Sequence, residues 1–324
     1  MPRSSSNSTP KEPSRTDLFD RTANRRDPMT WASAREHLLA AGWGLKFTPG
    51  GSVELAMENG SLVGRILDRV PADDEDVDGH GLIRAASAGN LDAALANSVE
   101  CDVLVDEVLV GLNWTLVRAG AFAGIARSPD RGTGGARTVR KGEPIAGRPL
   151  SALAQWLCSL DPLRRSIGLA AVNAFWNKSD GPQAQGGWGF AGFNPPGDDL
   201  IIIGGFRGAQ KRLPAARIIE REPKGNDIPA DQADEALASA GAVAITAQTL
   251  MNGSLEPLLA KIGKADQRLL VGPSAPVAPQ VLEAGLTRVS GLAITDVEAV
   301  AQFIKETGTM IALDHMTKQL ELTK

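Results

Sequence analysis

DLIIIGGFRG at residues 199–208 and ARIIEREPKGND at 216–227 decide how the chain is read. A β-branched run, Leu200 to Ile203, stops at Gly204-Gly205, and a second apolar run, Arg217 to Ile219, stops at Glu220. Short apolar runs bounded by glycine and charge predict two parallel strands. Glycines at a strand end let backbone approach a ligand closely. An acid at the tip of the neighbouring strand sits where doubly wound sheets meet a hydroxyl-bearing ligand.

Outward from that pair, the pattern alternates to the end of the chain. Helices are predicted over 230–240, 254–262, 278–284 and 297–307, with strands at 242–246, 268–271 and 288–294 between them. This β-α order with near-continuous apolar strands predicts a parallel sheet over 198–324, covered on both faces. Ligands of such sheets bind at the carboxyl strand ends. There the sequence places Gly204-Gly205, Glu220, Thr246 with Gln248, Gly272-Pro273-Ser274, and Thr295-Asp296.

Residues 181–197, rich in glycine and proline with Trp188, Phe190 and Phe193 interleaved, read as a linker. Its aromatics could form a lid over a cleft or dock on a neighbouring domain. Residues 29–180 read as an α+β domain. Trp31, Ala34, Leu38 and Ala41 lie on one face of a first helix, a hairpin turns at Asn59-Gly60, and a helix covers 82–96. Strands at 103–110, 113–118 and 121–126 form an antiparallel meander, and two helices follow at 151–159 and from Pro162, capped by Asp161, to about Trp176. In that last apolar helix Asn173 is either a satisfied core amide or a group facing a cavity. Residues 1–28 hold almost nothing that could be buried and read as a disordered tail.

Composition narrows the partners. A formal net charge of −4 over 324 residues, with 43% apolar residues, describes a globular chain with no electrostatic reason to bind nucleic acid or an anionic membrane. No apolar stretch is long enough to span a bilayer, and two cysteines build no disulfide framework. A cytoplasmic protein with a small-molecule or metal ligand is expected, and homo-oligomerisation is left open. The basic stretch 128–148, with Arg131, Arg137, Arg140, Lys141 and Arg148, could clamp an anion or simply be a solvated loop.

Several chemistries lack their residues. Gly204-Gly205-Phe206-Arg207-Gly208 is not the G-x-G-x-x-G of a dinucleotide site, and the connection to Pro214 is too short for the helix such a site requires. Tyrosine is absent, and His37, His80 and His315 are isolated. The acidic stretch 71–81 matches no calcium loop. Cys158 sits in an apolar helix where a thiol is ordinarily inert core. A divalent metal would need the carboxylates of Glu220 and Asp227. Asn252-Gly253, ahead of a helix capped by Ser254, can aim an amide and backbone donors into a cleft.

At VLVGLNWTLV and AGIARS (108–117 and 123–128), GLAAVNAFWN (168–177), IIIGGF (201–206), IIEREPKGND (218–227), AITAQTLMNGSLEPLL (244–259) and VGPSAPVAPQVLEAG (271–285), the chain resembles the family described as "putative heavy-metal chelation". In that family a Rossmann-like domain follows an enolase-N-terminal-like domain. The resemblance implies a cleft between the two domains, lined here by Asn173, Glu220, Asp227, Thr246, Asn252 and Ser274. Ala247-Gln248 replaces a glycine-bearing turn of the family pattern. Two functions follow as expectations. One is binding of a metal ion or metal-chelating metabolite in the cleft, with Glu220 and Asp227 as ligands and Asn173 and Asn252 orienting the guest. The other is an enzyme on a nucleotide-like or S-adenosylmethionine-type ligand at the strand ends. Whether the chain is catalytic stays open.

Overall fold

The computed structural model describes residues 28–40, 44–56, 62–67, 69–78, 90–129, 144–159, 161–181, 189–190, 193, 199–206, 208, 211, 213–220, 223–229, 232–307, 313 and 315–324. The tail, the Asn59-Gly60 turn, His80, most of the basic stretch and Trp188 lie outside the described residues.

In the first half, β1 (Pro28–Thr30) leads into α1 (Trp31–Ala40), followed by β2 (Gly44–Phe47), β3 (Val53–Ala56), β4 (Leu62–Leu67), β5 (Asp76–Asp78) and α2 (Asn90–Asn97). Then come the meander strands β6 (Glu107–Val110), β7 (Trp114–Ala119) and β8 (Phe122–Arg127). They precede α3 (Leu150–Ala154), a 3-10 turn over Gln155–Cys158, and α4 (Pro162–Trp176). Asp161 caps α4 as expected, accepting from the backbone N–H groups of Leu163 and Arg164 at 2.8 and 3.1 Å. Pro162 at the first helical position loses no hydrogen bond there.

The second half holds β9 (Leu200–Ile203), β10 (Arg217–Glu220), β11 (Ile228–Pro229), α5 (Ala233–Ser239), β12 (Ala242–Thr246), α6 (Gln248–Met251) and α7 (Leu255–Lys261). It ends with β13 (Gln267–Val271), α8 (Pro279–Glu283), β14 (Arg288–Ile294), α9 (Val297–Lys305) and β15 (Thr317–Thr323). A seven-stranded sheet takes the order β11-β10-β9-β12-β13-β14-β15, parallel except for β15. The expected parallel sheet is therefore present, extended at one edge by an antiparallel strand that the sequence pattern did not disclose. Strand order reverses at β9, from which the chain adds β10 and β11 on one side and β12 to β15 on the other, and a topological switch point of this kind opens a crevice at the carboxyl ends.

The two faces of this sheet are covered differently. Ile201, Ile203, Val243, Ile245 and Leu270 point into a core shared with α5, α7 and α8, and the same core runs on into Leu95, Leu157, Ile167 and Leu169 of the first half. The opposite face, with Ile202, Ile218, Ala244 and Leu269, is covered by Phe190 and Phe193, joined by Phe206 and Leu213. Both aromatics are buried, so they dock on the sheet and are not a lid. The short β9–β10 connection leaves no room for an ordinary helix, and aromatic side chains fill the place it would have taken. Each such ring buries area enough to matter, about 150–250 Å².

The meander packs on α4 at very close range. A Cβ on Gly124 would lie 2.1 Å from the Ala174 nitrogen and 2.4 Å from the Ala170 oxygen. Only glycine fits where a strand backbone rests directly on helix backbone. The other face of the meander, through Trp114, Leu116 and Ile125, packs on Ile294, Val300, Phe303 and Ile304. No helix among the described residues is long and apolar enough to cross a membrane.

Candidate functional site at the carboxyl rim of the sheet

The switch point brings together Gly204, Gly205, Glu220 and Thr246. The β9–β12 register aligns Ile203 with Ile245, which sets Gly204 beside Thr246. Gly204 has φ of +106° and its missing Cβ would lie 2.8 Å from Thr246 Cγ2, so both conformation and space demand glycine. Gly205 leaves its side-chain position open to Glu220, whose Oε2 lies 3.3 Å from where that Cβ would be. The Thr246 hydroxyl accepts from the Gln248 N–H at 3.4 Å, and its carbonyl accepts from the Thr249 hydroxyl at 2.7 Å. Backbone after β12 is thus ordered by the hydroxyls of Thr246 and Thr249, and the Glu220 carboxylate stands against Gly205.

Asp227 stands elsewhere in register. Glu220 pairs with Pro229 and Ile219 with Ile228, so Asp227 lies two positions back along the adjacent strand, about 7 Å at the rise of a β-strand. It is buried and accepts from the Lys224 N–H at 2.9 Å, closing the turn that starts β11. Among the described residues no group of three or more His, Cys, Asp or Glu is arranged to hold a metal.

Asn173 and Ser274 are brought together, as a clasp between the halves. Asn173 Nδ2 donates to the Ile125 carbonyl at 2.8 Å and to the Ser274 carbonyl at 3.2 Å, while its Oδ1 is buried without a partner. The Ser274 hydroxyl accepts from the Arg127 N–H at 2.9 Å. Next to them stands Asn177, which sequence reading passed over. Its Nδ2 donates to the carbonyls of Ala275 and Leu292 at 2.9 and 3.1 Å, and its Oδ1 accepts from the Val277 N–H at 2.8 Å. Asn252 is turned to local use, its Oδ1 accepting from both the N–H and the hydroxyl of Ser254 at 3.1 and 2.6 Å. Gly253 supplies the positive φ, +67°, that this turn requires.

A line of buried hydroxyls backs the clasp. Ser128 Oγ lies 3.0 Å from Thr115 Oγ1, which lies 2.8 Å from Ser166 Oγ, and Ser166 donates to the Arg127 carbonyl at 2.9 Å. The only signal in sequence was polar residues at apolar positions of β7 and α4.

Deeper still, Arg165 of α4 forms an ion pair with Asp92 of α2 at 2.7 Å and also donates to the Leu250 carbonyl of α6. Burial pushes the Asp92 carboxyl above its ordinary range, against the opposing pull of Arg165. Nearby, burial and then the Asp92 charge push the Cys158 thiol up to about 12. Cys158 is inert core, as its apolar helix implied. It should stay unmodified by a disulfide reagent near pH 8, about four units below its titration, and react only after denaturation, a difference that thiol counting by absorbance measures.

Comparison with known proteins follows the same division. Two family models match, DUF4213 over residues 92–176 and DUF364 over residues 194–322, both described as "putative heavy-metal chelation". No curated protein matches the chain. A DUF364 protein of unknown function from Desulfitobacterium hafniense DCB-2 aligns at 25% identity and a TM-score of 0.62, covering 74% of this chain and 98% of that one. Another from Pyrococcus horikoshii aligns at 18% identity and 0.58, covering 73% and 99%, and shares the fold. The DUF4213 model falls on the meander and its helix and the DUF364 model on the seven-stranded sheet, and over these two regions the chain belongs to the families described as "putative heavy-metal chelation".

Proposed function

We propose that the protein binds a metal-chelating small metabolite, or a metal ion carried by one, at the carboxyl rim of the sheet where the first half meets it. The observation that carries this reading is the Glu220 carboxylate lying over Gly205 at the switch point. A carboxylate oxygen there is a hard ligand for a cation. Glu220 alone is too small a donor set for a bare ion. Asp227 has one oxygen committed to the Lys224 N–H, and no third acid, histidine or thiol joins them among the described residues. A guest that brings its own ligands fits this arrangement better than an unchelated metal. Thr246 and the backbone of 204–205 form the floor, and the Asn173–Ser274 clasp fixes the wall; Asn252 shapes the turn behind the floor.

Elemental analysis of the purified protein, followed by calorimetric titration with zinc and with zinc citrate, tests the reading. Glu220→Ala should weaken binding at least tenfold, about 1.4 kcal/mol, and Asp227→Ala less, because its loss acts through the turn. Unchanged binding in both variants would overturn the ligand set.

A second reading has its own observation. The strand order places Glu220 at the end of the strand beside the first glycine-ended strand, where a ribose hydroxyl is met in nucleotide-binding sheets. S-adenosylmethionine or a nucleotide raising the melting temperature without metal would favour an enzyme over a chelate carrier.

A further inference from the structure

We propose that β6 is the edge through which two copies of this chain pair, antiparallel about a two-fold axis at Leu109, joining their meanders into one continuous sheet.

β6 is the outer strand of the meander, bonded to β7 on one side. The Asp106 N–H donates to the Arg118 carbonyl at 2.8 Å, and by the alternation of an antiparallel pair Val108 and Val110 also turn their backbone groups to β7. Those of Glu107 and Leu109 face away, and nothing among the described residues receives them. Just before them the outer side is occupied: the Val105 N–H donates to the Arg148 carbonyl and the Gly147 N–H to the Val105 carbonyl, both at 2.8 Å. Gly147, at φ of +86°, bends that companion segment off the edge, so the open stretch begins at Glu107. Native edges are blunted by lysine, proline or a bulge. Glu107-Val108-Leu109-Val110 has no lysine or proline, its register with β7 is unbroken, and Val110 and Leu112 are 43% and 39% exposed.

Available length and charge fix the occupant. With Leu109 opposite Leu109 of the second copy, Val108 faces Val110 and Glu107 faces Gly111, so the added strand ends where the 147–150 segment begins. The two Leu109 residues exchange backbone hydrogen bonds across the axis, and each exposed Val110 gains a valine as its cross-strand neighbour. Opposed residues project to the same face, and on this face the charges match. Glu107 stands opposite Arg118, which pairs with Glu298 in the first turn of α9. Gly111 lies at the other end of that helix, where a Cβ on it would come 3.0 Å from the Ile304 carbonyl. Lys305 follows Ile304, exposed and without an ion pair among the described residues. An antiparallel mate therefore brings its Glu107 to the Lys305 end of the first copy, and symmetry repeats the contact. A parallel mate would set Glu107 against Glu107, a like-charge pair that disfavours it. The surface is thus self-complementary in the way a two-fold interface requires.

Sedimentation velocity of the full chain over a dilution series, with amide hydrogen exchange at low and high concentration, tests the proposal. Wild type should form a dimer, and exchange at the Leu109 amide should slow as it forms. Val110→Lys, at an exposed position, should weaken the dimer at least tenfold with the thermal unfolding of the monomer unchanged. Glu107→Lys and Lys305→Glu should each weaken it, and the double variant should recover most of the wild-type affinity. A wild type that is monomeric at about 100 μM overturns the proposal. So does a dimer that Val110→Lys leaves intact, or a charge exchange that brings no recovery.

Discussion

Asp92→Ala should cost about 3–5 kcal/mol of folding stability, because it leaves the Arg165 guanidinium buried without its counter-charge. Both side chains are buried and 73 residues apart in sequence, and Arg165 reaches on to the Leu250 carbonyl. One arginine thus ties α2 and α4 to the helix that follows β12. Urea unfolding measures the loss, and the core shared by both halves predicts that it comes off one cooperative transition.

The partner variant behaves differently with pH. In the wild type the Asp92 carboxyl holds its proton more tightly folded than unfolded, since burial raises its pKa. Its favourable contribution is complete below the unfolded value, near pH 3.9, and is lost as pH rises through the folded value. Arg165→Leu removes the opposing charge, so the folded value climbs further. The variant should therefore be most destabilised near neutrality and should recover toward wild type between about pH 7 and about pH 4, whereas Asp92→Asn should show no such recovery. Equal destabilisation of Arg165→Leu at both ends of that range would remove the account.

Asn177→Leu should cost a comparable amount, roughly 3–5 kcal/mol, at about 1–3 for each buried polar group left unmatched. Its amide serves the carbonyls of Ala275 and Leu292 and the N–H of Val277, so leucine orphans three backbone groups on two segments of the sheet domain. The same variant should loosen the Ser274 loop and weaken guest binding. A stable Asn177→Leu protein with wild-type unfolding would mean that the clasp contributes little.

The sheet was legible because its strands are local statements. Leu200–Ile203, Ala242–Thr246 and Arg288–Ile294 are apolar runs closed by glycine or polar residues, and each of them forms a strand. β15 was not legible: Thr317, Lys318, Gln319 and Glu321 give an edge strand too polar to stand out, and its pairing with β14 is what orders it. The rim glycines and Thr246 were readable as strand ends. Asn177, Arg127 and the Asp92–Arg165 pair were not, since their partners lie far off in sequence, 98 residues away for Asn177 and Ala275. Asn173 could be singled out as a polar group in an apolar helix, but only the packed chain shows that both its amide hydrogens go to backbone carbonyls.

The line of hydroxyls through Ser128, Thr115 and Ser166 branches at its inner end. Ser166 is placed as donor toward both the Thr115 hydroxyl and the Arg127 carbonyl, yet it has a single hydroxyl proton, while the Thr115–Ser128 pair can donate either way. One rotor on α4 thus serves two strands of the meander in turn, and the position of its proton decides which of them it holds.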